Sequence, residues 1–283
     1  MAETLPAVAF VGVGTMMEAM VDKAIEGGWL RDRLLLTHRR ADRRAELAKR
    51  FGIPVTEDNL AAVRAADMVV LGVRPQEMAD VIEALRPGFS ARQTLLSIAA
   101  GLTVEWLAAR LPEGMTIVRV TPPPTAWVGA GVTLLSGGEG LGDAARGYIV
   151  RLVQSTCERT QWVPDDLMEP ITGVALALTP YTCALLKTLI ATGIEQGCDE
   201  SFIRNMVMEG LYATARLLRD GKLTPEQVID MVATREGLTW SSLHTMEAYG
   251  VFRGIRMGAR AMTGRSYELR GERVPDEYVG FLR

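Results

Sequence analysis

Two glycines and a run of arginines are the residues whose types and spacing point most directly to chemistry. Gly12-Val13-Gly14 follows the apolar run Val8-Ala9-Phe10-Val11 and precedes Thr15-Met16-Met17. Gly12 permits a tight turn, and Gly14 lets the backbone approach a pyrophosphate. A helix starting at about Met16 offers unpaired N–H groups and a partial positive charge to the same anion. The third position of the full fingerprint, usually Gly or Ala for close helix–strand packing, is Met17. The next apolar run ends in Thr37-His38-Arg39-Arg40, with no acid. An Asp or Glu about 20 residues past the glycines binds the ribose 2′-OH of NAD, whereas guanidinium groups match a 2′-phosphate in geometry and charge. The expectation is a dinucleotide site that takes NADP(H) in preference to NAD(H). Its residues are Gly12, Gly14, Thr15, Met16, His38, Arg39 and Arg40. The competing reading of the arginines is a solvated basic turn, because Arg43 and Arg44 follow.

Such a site needs a sheet to carry it, and the first half of the chain supplies one. Short apolar runs at Val8–Val11, Leu34–Thr37, Met68–Val73, Thr94–Ile98 and Ile117–Val120 alternate with helical patterns. Those patterns span Met16–Glu26, Ala41–Phe51, Gln76–Leu85 and Thr103–Leu111. Continuous apolar strands between helices predict an α/β Rossmann-type domain, a doubly wound parallel sheet covered on both faces. From Asp165 the apolar spacing turns helical, which places a domain boundary near Pro164. Residues 1–164 form the dinucleotide-binding domain, and residues 165–283 an all-α domain. Thr224-Pro225-Glu226-Gln227 predicts a helix start: a Thr cap, Pro at the first helical position and Gln at the capping-box position. The segment from Arg265 to Arg283 is polar, without a clear period, and reads as a loose tail or one that wraps a partner subunit.

Composition excludes several classes. A length of 283 residues fits two domains better than one, and a net charge of -3 with dispersed Lys and Arg argues against nucleic-acid binding. Cys157, Cys183 and Cys198 lack metal-ligand spacing and predict reduced thiols in a cytoplasmic protein, and two distant histidines argue against a metal site. Met1–Leu5 has no basic signal region. The most apolar stretch, Ile171–Ala191, contains Pro180 and Lys187 and reads as a buried helix, not a membrane span.

The order of further motifs resembles the pyrroline-5-carboxylate reductase family, whose members reduce a cyclic imine to proline. The similarity runs from about Val8 to Thr263. It rests on Phe10–Met16, Val73-Arg74-Pro75-Gln76, Ser97-Ile98-Ala99-Ala100-Gly101, Val118-Arg119-Val120-Thr121-Pro122 and Val128–Thr133. The resemblance implies that Val73, Arg74, Pro75, Ala99, Ala100 and Gly101 line the nicotinamide side of the cofactor. Asn59 and Arg39 would then sit near the adenosine. The family has Lys at Arg74 and usually Asn and Gly at Thr15 and Met17. It has Asn-Thr-Pro where this chain has Pro123-Pro124-Thr125. In the helical half, its Ser-Gly-Ser-Gly-Pro is Ala175-Leu176-Ala177-Leu178-Thr179 here, with Tyr181 following in register. Good helix formers at those positions predict that a ligand-accommodating kink has become regular helix. The loop Ser-Pro-Gly-Gly-Thr-Thr, which in the family binds the substrate carboxylate, is Thr234-Arg235-Glu236-Gly237-Leu238-Thr239 here. The cofactor half is kept and the substrate half is rewritten.

By resemblance the chain is an NADP(H)-dependent reductase of a small imino acid. Thr239 would hydrogen-bond the substrate nitrogen or carboxylate, and Arg235 would clamp a carboxylate or else form a surface salt bridge. A ketone or keto acid would need an enzymic acid, for which Tyr181, Lys187 and His244 are candidates; each also has a purely structural reading. A cofactor-binding homologue without catalysis is the third possibility. The apolar helices, and the family's interlocked dimer, predict a homodimer or larger homo-oligomer.

Overall fold

A computed structural model describes residues 5–154 and 156–280. Eight strands form one sheet in the order β3-β2-β1-β4-β5-β6-β7-β8: β1 (Val8–Val11), β2 (Leu34–Thr37), β3 (Val55–Thr56), β4 (Met68–Leu71), β5 (Thr94–Ser97), β6 (Thr116–Thr121), β7 (Val132–Gly137) and β8 (Arg159–Trp162). The helices between them are α1 (Thr15–Glu26), α2 (Ala41–Phe51), α3 (Asn59–Arg64), α4 (Met78–Leu85), α5 (Val104–Ala108) and α6 (Asp143–Gln154). Successive side chains of a strand point to opposite faces, and both faces here are covered. Val8 and Phe10 join one buried cluster with Met17, Met20, Leu36 and Val118. Ala9 and Val11 join another with Val69, Leu71, Leu95 and Ile117.

The strands and helices expected from the sequence are present, and the sheet departs from a fully parallel one at a single place. β6 and β7 pair antiparallel, Thr121 opposite Leu134, while every other pair is parallel. A parallel return needs a crossover of about a dozen residues or more. Only residues 122–131 connect β6 to β7, and they hold Pro122, Pro123, Pro124, Gly129 and Gly131 with one short 3₁₀ turn. The chain therefore turns straight back.

One register feature decides where chemistry can happen. Val11 pairs with Leu71, Leu71 with Ser97, and Ser97 with Arg119. The carboxyl ends of β1, β4 and β5 are thus flush. The loops that follow them, starting at Gly12, Gly72 and Ile98, leave one edge of the sheet side by side, where ligands of open α/β sheets bind.

After Trp162 no strand follows among the described residues. The helices are α7 (Met168–Ile171), α8 (Leu178–Glu195), α9 (Glu200–Asp220), α10 (Pro225–Val232), α11 (Leu238–Ala248), α12 (Val251–Arg270) and α13 (Asp276–Val279). The capping box of α10 forms as expected, with Thr224 Oγ1 accepting from Gln227 N–H and Gln227 Oε1 accepting from Thr224 N–H. The chain makes two compact units. The first holds residues 1–176 and 261–283, the second residues 177–260.

Three expectations need correction. Residues 172–176 are π-helical and Ala177 is a turn, so the segment 175–179 has not become regular helix. Pro180 is the physical reason: its missing N–H breaks an uninterrupted helix but is harmless in the first turn of a new one, and α8 starts at Leu178. The segment from Arg265 is not an aperiodic tail at its start, because α12 continues to Arg270 and buries Ser266. Finally, α8 is not buried within this chain. Of its residues only Gly193 is, although Asp165–Glu195 is long and apolar enough to cross a membrane by length and composition alone. Cys157 is buried, Cys183 and Cys198 are exposed, and all three thiols are free.

Candidate active site

The turn after β1 is held from behind. Gly12 adopts φ +79°, a conformation that favours glycine, and its N–H donates to Thr37 Oγ1 at 3.1 Å while Val13 N–H donates to Thr37 O at 3.0 Å. The end of β2 thereby fixes the turn. Gly14 caps α1 in an extended conformation with no side-chain cap, so the first N–H groups of the helix stay available. A Cβ built at Gly14 would meet nothing closer than Gly12 O at 4.0 Å. Nothing inside the chain requires glycine there, which fits a demand from an approaching pyrophosphate. Thr15 is exposed and Met16 half-buried beside it.

Met17 occupies the position where the fingerprint usually has a small residue, and the structure shows its compensation. Its side chain is buried against Gly72, the first residue after β4, where a Cβ would lie 2.4 Å from Met17 Cε. The small residue has moved from the helix to the facing strand end.

The basic residues after β2 divide into committed and free. Arg40 is paired with Asp42, with Nε donating to Oδ1 at 3.0 Å, which raises the Arg40 pKa and lowers that of Asp42. Arg43 is paired with Glu46 and Glu18, and Arg50 reaches Glu18 at 2.7 Å. Arg44 pairs with Glu57 at 2.8 Å and donates to the carbonyls of His38 and Arg39 at 3.2 and 2.9 Å, bracing the turn. His38 accepts from Arg40 N–H through Nδ1 at 3.1 Å. Arg39 is exposed, and no partner for it is found among the described residues. Asn59 opens α3 on the same side, behind β3, whose Thr56 O accepts from His38 N–H.

On the other flank of the edge, Arg74 is exposed at the start of a 3₁₀ turn begun by Pro75, with Val73 half-buried before it. The loop after β5 runs Ala99 (buried), Ala100 (exposed), Gly101. Gly101 has φ +83°, and a Cβ there would lie 3.2 Å from Ser266 and Leu269 of α12. Arg270 pins this loop: its guanidinium donates to Gly101 O at 2.9 Å, pairs with Glu272 at 2.7 Å and lies over the Tyr267 ring. A cavity of about 600 Å³ opens here, bordered by Ala100, Gly101, Thr121, Glu169, Thr172 and Ser266. All of these residues belong to the first unit.

Sequence reasoning missed the group beneath that cavity. Arg119, in the middle of β6, is 2% exposed and forms ion pairs with Asp165 at 2.8 Å and with Glu169. Asp165 also accepts from Ser136 Oγ at 2.6 Å and from Val104 N–H at 2.9 Å. Burial pushes the Asp165 carboxyl up, but the Arg119 charge and these hydrogen bonds outweigh it, and its pKa lies below the usual value. The available signal was a lone charged residue in an otherwise apolar strand, which is rarely buried unless paired.

The candidates from the helical half all lie in the second unit. Tyr181 is half-buried on α8 and its hydroxyl packs at Gly258 of α12, where a Cβ would come within 2.9 Å. Lys187 is exposed on the same helix. Arg235 is exposed, and no salt bridge to Glu236 or any other acid is found among the described residues. Glu236 holds φ +62° at the position where the family carries glycine, so the loop keeps a left-handed residue despite the substitution. Gly237 caps α11, and Thr239 is exposed in its first turn. His244 stacks on Trp240 with Nδ1 at 2.9 Å from Trp240 O. Five residues along a helix amount to about 140° of rotation, so Thr239 and His244 do not share a face of α11.

Residues 7–101 match the model of a family described as NADP oxidoreductase, coenzyme F420-dependent, and residues 165–269 match that of the pyrroline-5-carboxylate reductase dimerisation domain. The chain is similar to pyrroline-5-carboxylate reductases along more than nine-tenths of its length. Among its relatives, the pyrroline-5-carboxylate reductase of Thermus thermophilus is 29% identical over 92% of this chain and 97% of its own length. That of Haemophilus influenzae is 26% identical over 93% and 97%. The fold agrees. A Plasmodium falciparum pyrroline carboxylate reductase with NADP bound superposes with a TM-score of 0.84 at 18% identity, covering 94% of this chain and 98% of that one. The Streptococcus pyogenes reductase gives 0.85 at 20% identity, covering 93% and 99%.

Proposed function

We propose that this chain reduces the C=N bond of a small cyclic imino acid, 1-pyrroline-5-carboxylate to proline or a close relative, with NADP(H) as cofactor. The observation that carries the reading is the flush sheet edge. One row of paired residues brings the phosphate turn, the Arg74 loop and the Ala99–Gly101 loop together beside the cavity. When bound, the dinucleotide supplies the hydride. Gly12, Gly14, Thr15 and Met16 would hold its pyrophosphate, Val73, Arg74, Pro75, Ala99, Ala100 and Gly101 its nicotinamide side, and Asn59 and His38 its adenosine. Arg39, exposed and uncommitted, is the group for a 2′-phosphate, and this favours NADP(H) over NAD(H).

Thr239 and Arg235, at the uncapped start of α11, are the residues for the substrate carboxylate. Tyr181 and His244 are held as reserves for proton donation should the substrate be a carbonyl. The protein acts in the cytoplasm, as a homodimer or larger homo-oligomer, on a small molecule and not on nucleic acid or membrane. A second reading has one observation in its favour: Leu238 is 93% exposed where the family has Thr, which fits an imine or keto acid with an apolar substituent.

The test mixes purified protein with NADPH and 1-pyrroline-5-carboxylate and follows the nicotinamide absorbance, with NADH in parallel. Rapid oxidation with NADPH is expected. Binding of NADPH without oxidation would remove the proline-forming reading and leave another imine, a keto acid, or a protein without catalysis.

A further inference from the structure

The buried ion cluster under the cavity carries a charge that the proposed chemistry can use. Its members come from three elements: Arg119 from β6, Asp165 from the turn before α7, and Glu169 from α7. One guanidinium faces two carboxylates, so the group holds a net charge of about −1 in a region shielded from water, where charge acts more strongly than at the surface. Arg265 and Glu268, the other charged residues bordering the cavity, form an ion pair with each other. Arg270, behind Gly101, is matched by Glu272. The cavity therefore has a negative floor with no uncompensated cation among its described lining residues.

Glu169 faces two ways. Its oxygens meet the Arg119 NH1 and NH2 groups, which uses one lone pair on each. Its side chain is 12% exposed and borders the cavity, so the remaining lone pairs are available to a ligand.

Resting on the imine-reductase reading, we propose that this cluster makes the cavity selective for a ring nitrogen that carries positive charge, with Glu169 accepting its N–H. A neutral imine is a poor hydride acceptor. When its nitrogen is already protonated, a C–H bond forms at carbon as the C=N π pair moves onto nitrogen, and no proton need move in that step. The neutral amine then takes a second proton from water. A negative floor favours the protonated imine in the ground state, and this explains how the site works without a dedicated general acid.

The test is a binding comparison that needs no turnover. With NADPH saturating, calorimetry measures L-proline against cyclopentanecarboxylate, which shares ring and carboxylate but lacks the nitrogen. The unmodified protein should prefer L-proline by tenfold or more, Glu169→Gln should bring the ratio close to one, and Glu169→Asp should keep a clear preference. A ratio near one in the unmodified protein overturns the inference with no variant needed. So does a folded Glu169→Gln that keeps the full preference. Should that variant fail to fold, Asp165→Asn removes the same charge and is read in the same way. Absence of binding by either ligand overturns this inference, while failure of the imine-reductase reading alone shows as L-proline binding without any oxidation of NADPH by the imine.

Discussion

Arg39 and Arg40 are adjacent in sequence and differ in what holds them. Arg40 is engaged by Asp42, while Arg39 has no partner among the described residues and sits on the turn that Arg44 braces through two carbonyls. A charge-assisted contact to a phosphate is worth about 1.5–3 kcal/mol. Arg39→Ala should therefore raise the Kd for NADPH roughly tenfold or more and leave that for NADH unchanged, whereas Arg40→Ala should change the NADPH value about twofold at most. Fluorescence titrations with both nucleotides check this, and a larger loss from Arg40→Ala would reverse the assignment. The residues of the proposed cofactor edge stood out in the sequence because glycine and arginine announce a backbone shape and a charge by type alone. The Arg119 cluster was not, because its partners lie 46 and 50 residues away and only folding brings them together. Nor was the freedom of Arg39 over Arg40, which depends on which acid each can reach.

Met17 and Gly72 show how two elements share one requirement. The proposed dinucleotide turn needs α1 close to the sheet, and where a small residue is usual on the helix this chain has Met17 packed on Gly72 at the end of β4. Gly72→Ala should overpack this contact and cost about 1–3 kcal/mol. Met17→Ala should leave a cavity and cost about 2–5 kcal/mol. In the double variant the added methyl enters the space the methionine left, so the two losses should fall short of their sum by about 1–2 kcal/mol. Urea denaturation of the four proteins measures that difference, and strict additivity would show that the contact is not shared. Most of the apolar strands and the helices between them could be read in advance from period and punctuation. The exceptions have local causes: β3 is two residues long, β8 is Arg-Thr-Gln-Trp with no apolar run, and the antiparallel turn into β7 depends on the shortness of residues 122–131. Helix propensity at Ala175–Leu178 pointed to regular helix, but Pro180 set the local geometry and the π-helical segment remained.

The second unit leaves many large apolar side chains open. On α8, Leu178, Leu185 and Leu189 are 47–63% exposed; on α9, Phe202, Met206, Met208 and Tyr212 are similarly open. Leu185 and Leu189, like Phe202 and Met206, are four residues apart and share a helix face. Large apolar patches on a surface mark interaction sites, and a stable interface covers about 800 Å² per partner. A second copy of the chain is the occupant that fits the dimerisation domain matched at residues 165–269. Sedimentation at micromolar concentration should give a dimer or larger assembly. Replacing Leu185 and Leu189 together by glutamate places two charges per chain in the contact, and should yield a monomer. Because the proposed dinucleotide edge lies wholly in the first unit, that monomer should still bind NADPH. Its imine turnover should fall at least a hundredfold if the site draws residues from both copies, and should be nearly unchanged if each chain is complete. A wild-type protein that sediments as a monomer would remove the homodimer altogether and leave the apolar faces of α8 and α9 to some other cover.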